Sequence, residues 1–231
     1  MFNITYKNRT PQNFDAWLAT IPVLTHSAIN RTRFSVPKRD GELLLDDMSL
    51  NNAHWQCMVH LKSNNYMANI RAIRSWLSGE GVLKISNGST PDAYYEVLQV
   101  SYVDDIMKAD DYGRITVDFE VYPYEFLNSG NTAITDYSTI TNPAETSKPE
   151  YVIEGTGSGT LTVNGHQMGF EASTKLTIDT RRQIAKNNQN ADANDKINGD
   201  YEKLYLKSGA NTISISSGFT LKVIPHWGYK I

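Results

Sequence analysis

The 231-residue chain predicts an all-β protein with one α-helix, divided into two domains. Three observations predict it. Apolar and polar residues alternate in short runs along most of the chain, as strands with one buried face require. Apolar residues recur at helical spacing in one place, at Tyr66, Ile70, Ile73 and Leu77. A polar run from Asn128 to Pro149, without apolar periodicity, separates two blocks of alternation that differ in rhythm. The expected division is an N-terminal domain over residues 1–128, a linker over 129–148 and a C-terminal β-sandwich over 149–231.

In chain order, MFNITYKN reads as a short strand and Asn13 to Leu18 as one helical turn, broken before Pro22. Phe34-Ser35-Val36-Pro37 leads through the turn-forming Lys38-Arg39-Asp40-Gly41 into Glu42-Leu43-Leu44-Leu45-Asp46-Asp47, a long hairpin-like excursion. Three consecutive leucines do not fit a strand with one wet face. Either both faces of the excursion are covered within its own domain, or one is covered by a neighbouring molecule. In the second case the opposite charges of Lys38-Arg39-Asp40 and Asp46-Asp47 would fix register.

Trp55, Cys57, Val59 and Leu61 alternate with His54, Gln56, Met58 and His60, which predicts a core strand over His54 to Leu61 with Cys57 inside. The helix is expected from about Tyr66 to Leu77, capped by Asn64 or Asn65 and ended by Gly79 in a left-handed conformation. Strands over Val82 to Ile85 and Tyr94 to Val100 follow, joined by the turn Asn87 to Asp92. Ile115, Val117, Phe119 and Val121 alternate with Thr116, Asp118 and Glu120 in the strand that closes the domain, and Tyr122-Pro123-Tyr124 stops it. Beyond the polar run, short strands are expected at Tyr151 to Ile153, Leu161 to Val163, Met168 to Phe170, Leu176 to Ile178, Ile213 to Ile215 and Phe219 to Val223. Asn164-Gly165 is a strong hairpin turn, and Ile184 to Asp200 reads as an exposed loop.

Composition excludes several functions. A net charge of −3 with scattered Lys and Arg leaves no footprint for nucleic acid or an anionic membrane. One cysteine allows neither an internal disulfide nor a multi-cysteine metal site, and the N-terminus lacks an apolar signal core; both fit a protein made in a reducing cytoplasm. His54, Cys57 and His60 are ligand types for zinc, but strand alternation puts Cys57 on the opposite face from both histidines. Gly155 to Gly159 resembles a phosphate loop, yet a strand follows where a helix is needed. Asp192, Asn194, Asp195, Asn198 and Asp200 miss the spacing of a calcium loop. No nucleophile elbow is present. The expectation is a non-enzyme with no catalytic, cofactor-binding or metal residues. Trp227, Tyr229 and Tyr124 are candidates for stacking on sugars, or for packing a domain edge or subunit contact.

The chain resembles the distal tail (Dit) proteins of long non-contractile-tailed phages, particularly those of Gram-positive hosts. The resemblance covers essentially the whole length and rests on the order of its pieces. These are Arg39-Asp40-Gly41 before an excursion, Ser75-Trp76-Leu77 closing a helix, Pro91-Asp92-Ala93-Tyr94-Tyr95 leading a strand, and Gly113 to Phe126 with Tyr122-Pro123-Tyr124. Asn142-Pro143, Ser147-Lys148-Pro149, Leu176-Thr177-Ile178-Asp179, Leu206 to Ile213 and Pro225-His226-Trp227 continue the order. Ala144 and Lys207-Ser208-Gly209 depart from the family pattern in the turns they occupy. The resemblance implies a barrel-like or sandwich N-terminal domain that forms a ring, and a galectin-like C-terminal sandwich. It further implies a hexameric hub at the distal end of the virion tail, joining the tail tube protein to the tail-tip protein and, in many cases, receptor-binding proteins. A carbohydrate-binding module for host wall polysaccharide is the alternative of a different class.

Overall fold

Alternation in the N-terminal half becomes an antiparallel sheet and a separate two-stranded hairpin. The computed structural model describes residues 2–62, 66–88, 92–106 and 112–231, and divides the chain into two units, Met1–Glu125 with Lys230–Ile231, and Phe126–Tyr229. In chain order the first carries β1 (Phe2–Tyr6), β2 (Ala16–Leu18), β3 (Val23–Thr25), β4 (Ile29–Ser35), β5 (Glu42–Leu50), β6 (Ala53–Lys62), α1 (Tyr66–Trp76), β7 (Gly81–Asn87), β8 (Ala93–Ile106) and β9 (Tyr112–Val121). The centre is β6 against β9, paired from Ala53↔Val121 to Lys62↔Tyr112. Around it lie β8, β7 and β1 on one side, and β2 and β3 on the other.

The buried face of this sheet carries Cys57, Val59 and Leu61 from β6 and Ile115, Val117 and Phe119 from β9. Helix α1 adds Ile70, Ile73 and Trp76 to the same core. Trp76 donates its indole N–H to the carbonyl of Tyr6 at 2.7 Å, so a large ring is buried without an orphaned donor. Gly79 ends the helix with φ +67, the left-handed geometry expected of it. The expected cap at Asn64 or Asn65, and part of the turn from Asn87 to Asp92, lie outside the described residues. One local expectation changes: Pro11–Phe14 forms a 3-10 turn closed by Asp15 in a left-handed conformation, and Ala16–Leu18 is strand. Pairing with β6 decides this, because Ala16↔Leu61 and Leu18↔Val59 bury both side chains.

β10 (Tyr124–Leu127) lies at the boundary, and the second unit continues with β11 (Thr139–Ser147), β12 (Glu150–Glu154), β13 (Gly157–Val163), β14 (His166–Ala172), β15 (Lys175–Asp179), β16 (Ile184–Asn187), β17 (Ile197–Asn198), β18 (Leu206–Ile215), β19 (Thr220–Ile224) and β20 (Trp227–Lys230). It is a β-sandwich. One sheet has the order β16-β15-β12-β19, and the other contains β17-β14-β13-β18-β11. Tyr151, Ile153, Leu176, Ile178 and Val223 from the first share a core with Leu161, Val163, Met168, Phe170 and Ile213 from the second.

The run expected as a linker, residues 129–148, belongs to this sandwich. β11 pairs with β18 and β20 and buries Ile140, Asn142, Ala144 and Ser147. It shows no apolar period because two inward positions are polar and satisfied by hydrogen bonds: Asn142 accepts from the Ala144 amide at 2.9 Å, and the Ser147 hydroxyl donates to the Pro225 carbonyl. The expected loop from Ile184 to Asp200 is likewise more ordered than its composition implies, holding β16, a 3-10 turn at Asn194–Lys196 and β17. Both outer strands of the first sheet are shielded: Ala193 donates to the Ala185 carbonyl beside β16, and Ile134 bridges Val223 on β19. No helix among the described residues is long and apolar enough to cross a membrane.

Candidate functional site

The largest departure from ordinary burial is the β4–β5 hairpin. Its strands pair with each other as a sheet of two, from Arg31↔Asp46 to Ser35↔Glu42, with an irregularity between Ile29 and Arg31. Gly41 and Lys38 in the connecting turn have φ of +81 and +65. Cross-strand partners share a face, so Phe34, Leu43, Leu45 and Thr32 line one side. Leu44 lies on the other with Arg33 and Glu42, whose side chains approach to 3.5 Å. Every residue of β4 is exposed. Leu45 is 61% exposed, Leu44 53% and Phe34 45%. Of the two coverings expected for the triple leucine, cover on both sides within its own domain is absent. A two-stranded ribbon with both faces in water is marginal by itself, and this one holds Phe34, Leu43 and Leu45 in water on one face.

The residues weighed for chemistry are dispersed. His54 and His60 face away from the buried Cys57; His54 Nδ1 lies 2.7 Å from Asp118 Oδ2, and the His60 ring packs edge-on against Trp17 with centroids 5.9 Å apart. Among the described residues no group of three or more His, Cys, Asp or Glu is placed to hold a metal. Gly157 to Gly159, the last three residues of the run from Gly155, already belong to β13, and the face of Gly159 is closed by Phe170 and Phe219, whose atoms lie 2.6 and 2.9 Å from where a Cβ would stand. Of the aromatic candidates, Trp227 is 5% exposed and part of the sandwich core, which removes it as a stacking platform. Tyr229 is exposed and donates its hydroxyl to the Pro143 carbonyl at 3.0 Å, while Tyr124 is half-buried.

Sequence reasoning missed a cavity in the second unit, between the β14–β15 turn and the 187–196 segment. Its lining comes from short pieces far apart in sequence, so no motif announces it. The Asn and Asp richness of 184–200 was one local signal, and it has a structural use. Asn187 Oδ1 accepts from the amides of Gln189 and Ala191, and Asn194 Oδ1 accepts from the Ala185 amide and the Tyr201 hydroxyl.

No protein-family model matches the chain, and no curated protein matches it. Among solved structures, the chain is similar to the crystal structure of the Dit (gp 19.1) protein of SPP1, presented as a paradigm of the hub adsorption apparatus in phages that infect Gram-positive bacteria. The two agree with a TM-score of 0.65 over 100% of this chain and 99% of that one, at 11% identity. The likeness is one of fold, and it extends through both units.

Proposed function

We propose that this protein is a distal tail protein: a structural subunit, not an enzyme, that assembles with copies of itself into a ring at the end of a phage tail. The observation that carries the reading is the fold shared from end to end with the SPP1 hub protein. The order of sequence pieces that resembles the family supports it. In this reading the first unit forms the ring, a hexamer as the family implies, and the second is the galectin-like sandwich. The ring joins the tail tube protein to the tail-tip protein and receptor-binding proteins, and its place is the virion.

The hairpin supplies the contact between copies. Burying a leucine side chain is worth roughly 1.5–3 kcal/mol. Leu43 and Leu45, on the same face as Phe34, therefore favour a second copy of the chain as their cover. The test is the solution mass of the full protein and of Leu43→Asp/Leu45→Asp. The wild type is expected as a ring oligomer, and the variant as a folded monomer whose unfolding temperature is little changed, with association weakened by at least about a hundredfold. A wild type that is monomeric at every concentration overturns the assembly reading. A variant that keeps the ring mass overturns the role of the hairpin.

A further inference from the structure

The β4–β5 hairpin leaves the first unit on two legs that are rooted differently. The β5 leg continues through Asn51-Asn52 into β6, whose first residue, Ala53, is 0% exposed and pairs with Val121 in the central sheet. The β4 leg is preceded by β3, three residues long, of which Leu24 alone packs against the core. Its pairing with β6 runs only from Val23↔Gln56 to Thr25↔His54, which is a weak root.

Between β3 and β4 stands Ser27, and its partner lies 204 residues further along the chain. Ser27 donates its amide to the Ile231 carbonyl at 2.9 Å, and its hydroxyl donates to the same oxygen. Ile231 is held in turn. Its amide donates to the Pro123 carbonyl at 3.3 Å, and its half-buried side chain packs against the core of the first unit, to which Lys230–Ile231 belong. The next hydrogen bond outward closes the hairpin, from the Asn51 amide to the Ala28 carbonyl at 2.8 Å, and the pair Ile29↔Leu50 follows. The contact of Ser27 with Ile231 is thus a clasp at the base of the ribbon.

We propose that Ser27 and Ile231 are positioning residues for self-association: their clasp fixes the β4 leg, so that the hairpin presents Phe34, Leu43 and Leu45 to a second copy already in place. The proposal rests on the reading of the hairpin as the contact between copies. A ribbon of two strands is marginal alone, and a loose one must be ordered when it meets its partner. Two donors on one carbonyl, from a residue itself fixed to the core, hold the weaker leg and remove part of that cost.

Deletion of Lys230 and Ile231 removes the acceptor and the packing together. Ser27→Ala with Ile231→Ala removes the hydroxyl donor and the packing and keeps the backbone, which guards against a deletion that fails to fold. Amide hydrogen exchange is read in the Leu43→Asp/Leu45→Asp background, where no second copy protects the hairpin. The Asn51 amide and those of Ile29–Ser35 are expected to exchange about tenfold or more faster in the deletion, and faster in the double alanine variant, while amides of β6 and β9 keep their protection. With Leu43 and Leu45 intact, ring association is expected to weaken about tenfold or more at an unchanged unfolding temperature. Unchanged hairpin exchange overturns the clasp. Equal acceleration in β6 and β9 makes the effect one of general stability and overturns it too, as does faster hairpin exchange with undiminished association. Failure of the assembly reading shows separately, in a wild type that is monomeric at every concentration whatever the exchange rates.

Discussion

At the residue scale, Cys57 is 1% exposed, and its surroundings decide its chemistry. Burial first, and the Asp118 carboxylate second, push its thiol from 9.0 up to about 12. The folded state therefore favours the protonated thiol. The stability this contributes is complete below pH 9.0 and is lost as the pH rises from there toward about 12. Burial also raises Tyr6, from 10.0 to about 12, and raises Tyr151 further, so alkaline conditions weigh on both units. Cys57→Ser places a hydroxyl among apolar side chains and is expected to cost about 1–3 kcal/mol at neutral pH. Because serine does not titrate, the gap between wild type and variant should narrow above pH 9 by up to about 1.4 kcal/mol per pH unit. Urea unfolding at neutral and alkaline pH measures both effects, and a gap independent of pH would show that the thiolate is not excluded by burial.

At the element scale, the turn inside β18 is held by one amide. Asn211 is 0% exposed. Its oxygen accepts from the Lys207 amide and from the Asn164 side chain, both at 2.8 Å, and its nitrogen donates to the carbonyls of Lys207 at 2.8 Å and Gly209 at 2.9 Å. Asn164, in the left-handed conformation its hairpin turn requires, returns an acceptor to the Thr212 amide at 3.0 Å. Two turns distant in sequence are thus clamped together. Lys207-Ser208-Gly209, a departure from the family pattern, still makes a turn here, with Gly209 at φ +81. Asn211→Ala leaves several buried partners unmet and is expected to destabilise the second unit by about 2–4 kcal/mol. Chemical denaturation measures the loss, and a change under about 0.5 kcal/mol would mean that water replaces the amide without penalty.

For the whole molecule, the structure moves the place where the chain can be cut. Phe126–Tyr229 has its own core, while a piece beginning at Pro149 lacks β11 and with it Ile140, Ala144 and the pairing to β18. The fragment of residues 126–229 is expected to unfold cooperatively alone, and that of 149–231 to stay unfolded or aggregate. Circular dichroism with thermal melting of both fragments checks this. A cooperative transition in the shorter one would reduce β11 to an accessory strand.

The strands and the helix were legible because each has one wet face, so its period appears in the chain itself. This holds for β6, β9, α1 and the strands flanking Asn164-Gly165. The buried place of Cys57, opposite His54 and His60, followed from the same alternation. The sequence also marked Leu43-Leu44-Leu45 as needing a cover, but could not choose between a cover within its own domain and one from outside it. Only the tertiary structure showed that its own domain leaves it uncovered, because exposure depends on what surrounds a strand, not on its own pattern. The same reason hid β11, whose inward Asn142 and Ser147 read as surface residues until their hydrogen-bond partners are in place. It left open whether Trp227 packs or stays accessible, which its burial in the sandwich core answers, and it hid the cavity, whose lining residues are neighbours in space alone.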